Sequence, residues 1–281
     1  MEQYFSPPGA PASFLINRFL FMKAGEADEK LQTRFIPNGG ISVVFNFSGT
    51  VSVRDSKTTY VLPSYFLVAP SLAPLIVCTE PPLDTVVVAC RASVITRLFA
   101  IDLSRPRKKP FFTTVSPIPG ALWEQMRQEN NRSLRQQSIE SFLAGWISKP
   151  YQPDGIDAVY DRIIGSGGSV PVNELIRDSG YNPRSFRRNF LSRVGLNAKA
   201  LSRIVRVNHL WDCHLEGRHN DFQALVAEGN YHDQSHLIRD FKKIIGEAPS
   251  FFFKADKKDI AFISGKEMGK NGRYPGKEKI E

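Results

Sequence analysis

The chain has 281 residues, 42% of them hydrophobic and 23% charged, which is typical of a globular protein with room for two domains. Its net charge of +9 favours polyanionic partners such as nucleic acid. No apolar run approaches the roughly 20 residues of a transmembrane helix, and the N-terminus lacks the pattern of a signal peptide. We therefore expect a cytoplasmic protein without membrane contact, its three cysteines present as free thiols.

The first part of the chain, from about residue 32 to residue 91, is rich in β-branched and aromatic residues. Short runs of them alternate with Gly, Pro, Asn and Ser clusters; the runs are 41–47, 50–54, 58–62, 65–70, 74–79 and 84–91. Strands at this spacing predict a small antiparallel barrel or sandwich of cupin-like type.

Helical periodicity follows the predicted strands. We expect one short helix at 93–100, opened by Ser93, and two more between 120 and 148. The apolar side of the last is predicted to carry Leu134, Phe142, Leu143 and Trp146. The segment 149–155 contains two prolines and a glycine and is typical of a linker, so residues 1–150 are predicted to form an N-terminal domain with connecting helices.

The rest of the chain predicts an all-α domain followed by a tail. Helical patterns fill 155–254, including a long helix over 198–217. Residues 255–281 are rich in lysine and glycine without periodicity, and we expect a flexible basic tail there. The fold class is thus α+β, with two domains.

The segment SGYNPRSFRRNF at 179–190 predicts a short helix with one apolar and one basic face. Asn182 before Pro183 is typical of a helix start. At 100° per residue, Phe186, Phe190 and Val194 share one stripe, while Arg184 and Arg188 lie opposite and Arg187 flanks them. Taken alone, this pattern also fits an ordinary solvated amphipathic helix.

An internal repeat gives the basic face its significance. Leu175 and Tyr181 match Leu225 and Tyr231 at an offset of 50 residues; beyond the turn the offset is 51, with pairs 186/237, 188/239, 190/241 and 195/246. The second turn therefore has one extra residue. The repeat predicts two helix-turn-helix units joined by a long helix, each presenting an arginine at the same outward position.

The outward side chains of the second unit suit the major groove of DNA. Leu237, Phe241 and Ile244 form its inner stripe. The opposite side carries His232, Ser235, Arg239 and Lys242, with Gln234 flanking them near the N-terminus. Arginine pairs with guanine O6 and N7, and glutamine with adenine N6 and N7. The second helix of such a unit enters the groove with its N-terminal residues first, where these side chains lie. The arginines and Gln234 are predicted to read bases, and the lysines to contact phosphates.

The region 155–254 resembles the DNA-binding domain of the AraC family of bacterial transcription regulators. The segment NYHDQSHLIRDFKKIIGEAPSFFF carries the specific motif, with Asp233, Gln234, Ser235, Leu237, Arg239, Phe241, Lys242, Gly246 and Pro249 at the family positions. The resemblance implies two units in adjacent major-groove segments. The predicted DNA-binding residues are Arg184, Ser185, Arg187 and Arg188 in the first unit and His232, Gln234, Ser235, Arg239 and Lys242 in the second.

The chain departs from the family pattern in the first helix and turn of the units. Asn230 replaces the turn glycine of the second unit, and Ile176 and Val226 occupy positions where the family has a small residue. Asparagine tolerates positive φ better than most residues, so we expect the turn to survive.

Other functions have weaker support in the sequence. All five histidines lie beyond residue 208, so the β domain lacks histidine ligands for a catalytic metal, and His209, Cys213 and His214 are interpreted as ordinary helix positions. We predict no cofactor, no metal and no enzymatic activity. A β-domain enzyme with a DNA-binding appendage and a nonspecific nucleic-acid-binding protein remain alternatives. A small-molecule effector near the aromatics Phe45, Phe47, Tyr60, Tyr65 and Phe66, and a homodimer, are open possibilities; activation or repression stays undecided.

Overall fold

A computed structural model describes residues 1–54, 58–104, 112–113, 120–146, 151–218, 222–254 and 258–266. Its strands are β1 (Glu2–Ser6), β2 (Ile16–Ala24), β3 (Leu31–Phe35), β4 (Ile41–Arg54), β5 (Thr59–Val61), β6 (Tyr65–Val68), β7 (Leu75–Cys90) and β8 (Phe112–Thr113). Its helices are α1 (Ala92–Leu98), α2 (Gly120–Gln128), α3 (Arg132–Trp146), α4 (Gly155–Gly165), α5 (Val172–Asp178), α6 (Pro183–Val194), α7 (Ala198–Leu215), α8 (Phe222–Glu228), α9 (Gln234–Ile245), α10 (Pro249–Phe252) and α11 (Lys258–Ile263).

The N-terminal domain is an antiparallel sheet, as the sequence predicts. The strand order is β1-β2-β7-β4-β6-β8, with β3 also paired to β7 and β5 to β4. Both faces of the sheet are buried at strands β2, β4 and β7: Phe19 and Phe21 of β2 join one core cluster, while Leu20 and Met22 of the same strand join another. This burial explains why β2, β4 and β7 contain near-continuous apolar runs. Strands β1 and β2 lie before residue 32, outside the region the sequence marks as strand-like.

Two strand breaks predicted from the sequence are wrong. Residues 41–47 and 50–54 form the single strand β4, and 74–79 and 84–91 correspond to the single strand β7. The register shifts between Asn46 and Thr50, opposite the prolines of β7. A Cβ at Gly49, whose φ is +75°, would lie 2.2 Å from the carbonyl oxygen of Pro82. Glycine and proline therefore mark an irregular point within a continuous ribbon here.

The helices after the sheet differ in detail from their predicted form. Helix α1 begins after Arg91, and Ser93 lies buried inside it and does not cap it. In α3 the buried stripe is Arg135, Ile139 and Leu143, whereas Leu134 is exposed. Arg135 is buried because it forms a two-pronged ion pair with Asp84 at 2.6 and 3.0 Å, a partner that helical periodicity does not reveal. None of the described helices is long and apolar enough to cross a bilayer.

Residues 258–266 are folded, so the predicted flexible tail is wrong over this stretch; residues 267–281 lie outside the described residues. Phe262 packs in the second core cluster of the sheet domain, and the hydroxyl of Ser264 accepts a hydrogen bond from the Ile36 N–H at 2.8 Å. Lys266 is buried, pairs with Asp212 of α7 and lies 4.9 Å from the centre of the Trp211 ring. The segment thus contacts both the sheet and α7.

The C-terminal part is all helical and packs around α7. Eleven residues of α7 are buried, among them Ile204, Val207, Leu210 and Trp211. One contiguous cluster includes Phe19 and Val86 of the sheet domain together with Phe186, Trp211 and Phe252 of the helical domain. The two domains therefore share a core at their junction. The proposed boundary near residue 150 remains a prediction, and 147–150 lie outside the described residues.

Candidate nucleic-acid interface

The first helix-turn-helix unit consists of α5, a turn and α6. Gly180 in the turn has a φ of +73°, a conformation that favours glycine. The Asn182 side chain accepts a hydrogen bond from the Ser185 N–H at 2.9 Å and caps α6. Phe186, Phe190 and Val194 are buried, as their spacing predicts. The helix ends at Gly195, which is left-handed.

The predicted readout residues of this unit lie on the outer side of α6. Arg184, Arg187 and Arg188 are exposed and Ser185 is half-buried. Within the described part of the chain none of the three arginines forms an ion pair. The basic face of α6 is therefore free to meet a polyanion.

The second unit repeats this construction with α8 and α9. Asn230 has a φ of +49° and takes the place of Gly180, so the turn survives as predicted. Asp233 caps α9 by accepting from the His236 N–H at 2.7 Å, and this hydrogen bond lowers the pKa of Asp233 below its ordinary value. Leu237, Phe241 and Ile244 are buried. His232 is the extra residue that the alignment requires between the turn tyrosine and the cap.

All five predicted residues of the second unit are exposed: His232, Gln234, Ser235, Arg239 and Lys242. The Arg239 Nε atom donates to the carbonyl oxygen of Ser235 at 3.2 Å, which lays its side chain along the helix surface. His232 lies 3.2 Å from the Asp233 carboxylate. Lys243, which the sequence reasoning did not select, is exposed beside Lys242 and adds to the positive charge at the end of α9.

The first unit is fastened to α4 by a buried ionic network around Arg193. This guanidinium contacts Asp154 at 2.5 Å and Asp157 at 2.6 Å, and the Asp157 side chain is fully buried. Burial alone raises the pKa of Asp154, but hydrogen bonds from Arg193 and the Asp157 N–H outweigh it and lower that pKa. Burial and the hydrogen bond donated to Asp157 raise the pKa of Tyr151 to about 12. Arg193 is therefore structural, unlike the other arginines of α6.

The N-terminal domain contacts the C-terminal end of α6. The Thr96 hydroxyl donates to the carbonyl oxygen of Arg193, and the Leu103 N–H donates to that of Ser192, both at 2.8 Å. A Cβ at Gly195 would lie 3.2 Å from the Leu103 side chain.

The end of α9 is held in a parallel way. Arg34 of β3 donates to the carbonyl oxygen of Ile245 at 2.7 Å and contacts Glu247 at 3.0 Å. From the opposite side, Arg203 of α7 pairs with the buried Asp240 at 2.9 Å. Both outer helices are therefore fixed at their C-terminal ends, while their N-terminal halves face outward.

One histidine–cysteine pair interpreted as ordinary helix positions has a third neighbour. His209 and Cys213 lie together on α7, and Glu228 of α8 joins them with its Oε1 atom 2.7 Å from His209 Nε2. Burial raises the pKa of the Cys213 thiol to about 11. His214 lies apart: its ring stacks on Phe253 at 4.1 Å, and burial lowers its pKa.

The aromatics considered for an effector pocket have different environments. Phe45 and Phe66 are buried in the two core clusters of the sheet domain, and Phe47 and Tyr65 pack at the edge of the first. A cavity of about 150 Å³ beside β2 and α3 is lined by other residues, including Lys23, Asp84, Arg132 and Arg135. It is smaller than the roughly 300–1,000 Å³ of common small-molecule sites, so the effector remains a prediction.

Comparison with known proteins gives one family match. Residues 175–255 match the family described as a helix-turn-helix domain. No curated protein sequence gives a significant match. ToxT from Vibrio cholerae is similar in structure with 11% identity over 90% of this chain and 98% of that chain, at a TM-score of 0.44. The AraC-like transcriptional activator CuxR has 8% identity over 90% and 83% of the two chains, at 0.29.

Because both TM-scores are below 0.5, the assignment of the domain rests on the matched segment and its motif. That match begins in α5 and spans both outer helices, with the capping residues, left-handed turns and buried stripes repeated between the units. Residues 175–255 of the chain are therefore an AraC-type helix-turn-helix domain.

Proposed function

We propose that the protein binds a specific DNA sequence by placing α6 and α9 in adjacent segments of the major groove. The observation that carries this proposal is the matched exposure of polar side chains on both helices. Asn182 and Asp233 cap corresponding helix starts, and Arg188 and Arg239 are exposed at corresponding positions. Two such faces in one chain would read a site longer than one helix can read.

The side chains divide into two roles in this proposal. Arg184, Arg187 and Arg188 of α6 and Gln234, Ser235 and Arg239 of α9 contact base edges; arginine suits guanine and glutamine suits adenine. Ser185, His232 and Lys242 lie at the flanks of these faces and contact the backbone, as do the N–H groups at the helix starts.

The N-terminal domain is proposed to modulate binding, through an effector or a second copy of the chain. Its support is the pair of contacts at the ends of α6 and α9. Thr96 and Arg34 each donate a hydrogen bond to a carbonyl oxygen at the end of an outer helix. A conformational change in the sheet domain would therefore alter the relative position and orientation of α6 and α9.

The test is selection of bound fragments from random duplex DNA, followed by affinity measurements on the selected site. Arg188→Ala and Arg239→Ala are each expected to lose about 1–3 kcal/mol and to relax base preference in different halves of the site. Arg127→Ala is the matched control, because it removes one positive charge from α2 without touching the outer helices.

Two results would contradict the proposal. One is a selection that enriches no sequence, with a salt dependence that accounts for nearly all binding, as expected of a nonspecific protein. The other is that both arginine variants bind the selected site as tightly as the control variant does.

A further inference from the structure

Three side chains with metal-binding atoms meet between α7 and α8. His209 and Cys213 are one helical turn apart on α7, and Glu228 is the last residue of α8. The Cys213 Sγ atom lies 3.6 Å from both His209 Nε2 and Glu228 Oε1. His209 Nε2 and Glu228 Oε1 are 2.7 Å apart. The three donor atoms thus form a triangle in which all lie within 4.8 Å of one another.

The size of the triangle fits a tetrahedral ion. Bonds of about 2.0–2.3 Å from zinc to nitrogen, oxygen and sulfur place neighbouring donor atoms roughly 3.3–3.7 Å apart. Both distances from Cys213 already have this value. The histidine and carboxylate need to separate by about 0.5–1 Å, which a rotation of the Glu228 side chain supplies.

Burial and packing also favour a site at this point. Cys213 is fully buried, whereas the His209 and Glu228 side chains are 31% and 30% exposed. The thiol is therefore the most deeply buried of the three donors. The His209 ring lies against Gly167, where a Cβ would approach it to 3.1 Å, so the absence of a side chain at Gly167 gives the ring its room.

We propose that His209, Cys213 and Glu228 bind one divalent transition-metal ion, with water as the fourth ligand. Nitrogen, sulfur and oxygen donors in tetrahedral arrangement suit Zn²⁺. The Cys213 thiol loses its proton to solvent when the metal–sulfur bond forms. The ion joins α8 to α7 and so fastens the first helix of the second unit, which α9 follows. This site is independent of the proposed DNA readout.

Full-length protein stripped with a chelator and titrated with Co²⁺ provides the test. We expect one equivalent to bind, with tetrahedral d–d bands and a thiolate-to-cobalt charge-transfer band that Zn²⁺ abolishes by displacement. Cys213→Ser is expected to lose the charge-transfer band, and Glu228→Gln to weaken binding at least about tenfold. His214→Gln, a histidine of the same helix turned away from the cluster, is expected to bind Co²⁺ as the unaltered protein does.

Far-ultraviolet circular dichroism verifies that each variant is folded. If Cys213→Ser does not fold, Glu228→Gln, which keeps the shape of its side chain, decides the question. The proposal is overturned if folded protein binds less than one equivalent of Co²⁺ at micromolar concentration. It is equally overturned if the charge-transfer band persists in Cys213→Ser, or if Glu228→Gln and His214→Gln bind alike.

Discussion

The two helix-turn-helix units share their outward faces but differ in how they are held from behind. Position 193 of α6 is an arginine whose charge is neutralised by Asp154 and Asp157, whereas the corresponding position 244 of α9 is a fully buried isoleucine. In the second unit the buried charge lies at Asp240, paired with Arg203. The same scaffold can therefore be fastened by ionic or apolar contacts, provided that the outer face stays open.

The turns and caps show the same pattern of conserved geometry with different chemistry. Gly180 and Asn230 both adopt positive φ, at 73° and 49°. Asn182 and Asp233 both accept a backbone N–H at the start of the outer helix. Only the cap of the second unit can titrate. Each of these differences can be exchanged between the units by a single substitution.

Loss of the ionic anchor is expected to have the largest effect. Arg193→Met removes the guanidinium 2.6 Å from the fully buried Asp157 carboxylate and leaves only the more distant Arg97, at 3.5 Å. Breaking a buried pair in this way costs about 3–5 kcal/mol. Urea denaturation followed by circular dichroism measures the fall in the free energy of unfolding. Arg187→Met on the exposed face of the same helix is the control and should change it by less than about 0.5 kcal/mol. Equal effects of the two variants would show that the network does not anchor α6.

Exchange of the turn residues is expected to have an intermediate effect. A Cβ at Gly180 meets no atom within 4 Å, so substitution there is opposed only by the positive φ. Gly180→Ala should lower the free energy of unfolding by about 1–2 kcal/mol, and Gly180→Asn by less. Asn230→Gly should change it by less than about 1 kcal/mol. Thermal or urea unfolding measures the change in the free energy of unfolding for each variant. Equal losses for Gly180→Ala and Gly180→Asn would contradict the expected order.

Exchange of the capping residues is expected to have the smallest effect. It should appear as a change in how the free energy of unfolding depends on pH. The hydrogen bond from His236 lowers the pKa of Asp233 in the folded state. Its stabilisation is therefore present above the unfolded pKa of about 3.9 and is lost as the pH falls through the folded value. Asp233→Asn should retain a cap at neutral pH and lose less stability between pH 6 and pH 3 than the unaltered protein.

The reciprocal variant Asn182→Asp tests the same idea in the first unit. This variant should lose more free energy of unfolding on acidification than the unaltered protein, because a titratable carboxylate then caps α6. Unfolding curves at the two pH values measure both variants. If Asp233→Asn and the unaltered protein lose stability equally on acidification, the Asp233 cap does not contribute to the pH dependence.

The periodicity of the sequence was sufficient to predict the helical units. Phe186, Phe190 and Val194 are buried where their spacing placed them, and the residues chosen for the outer faces are exposed or half-buried. A one-residue error in a helix of this length would rotate the face by 100°. The repeat made the assignment firm, because two independent stripes had to agree in register. Whether these faces bind DNA bases is still a prediction.

Features that depend on distant partners could not be predicted in the same way. Arg135 and Arg193 appear as surface arginines in sequence, yet their partners Asp84 and Asp157 lie on other elements. The tail was misassigned because its composition is polar, while Phe262 and Lys266 find complementary sites on the sheet and α7. Strands β1 and β2 preceded the region that the β-branched and aromatic runs identified. Strand β2 is buried on both faces, which removes polar–apolar alternation from its sequence, whereas β1 is largely exposed.

The sequence by itself determined the secondary structure of the helical domain and the direction of its polar faces, because both follow from local spacing and capping residues. Only the tertiary structure decided which charges are buried and that the N-terminal domain contacts Gly195 and Gly246. It also decided that Glu228 lies next to His209 and Cys213. The physical reason is that local propensity acts over a few residues, whereas ion pairs, core packing and ligand clusters depend on positions that the fold brings together across long stretches of chain.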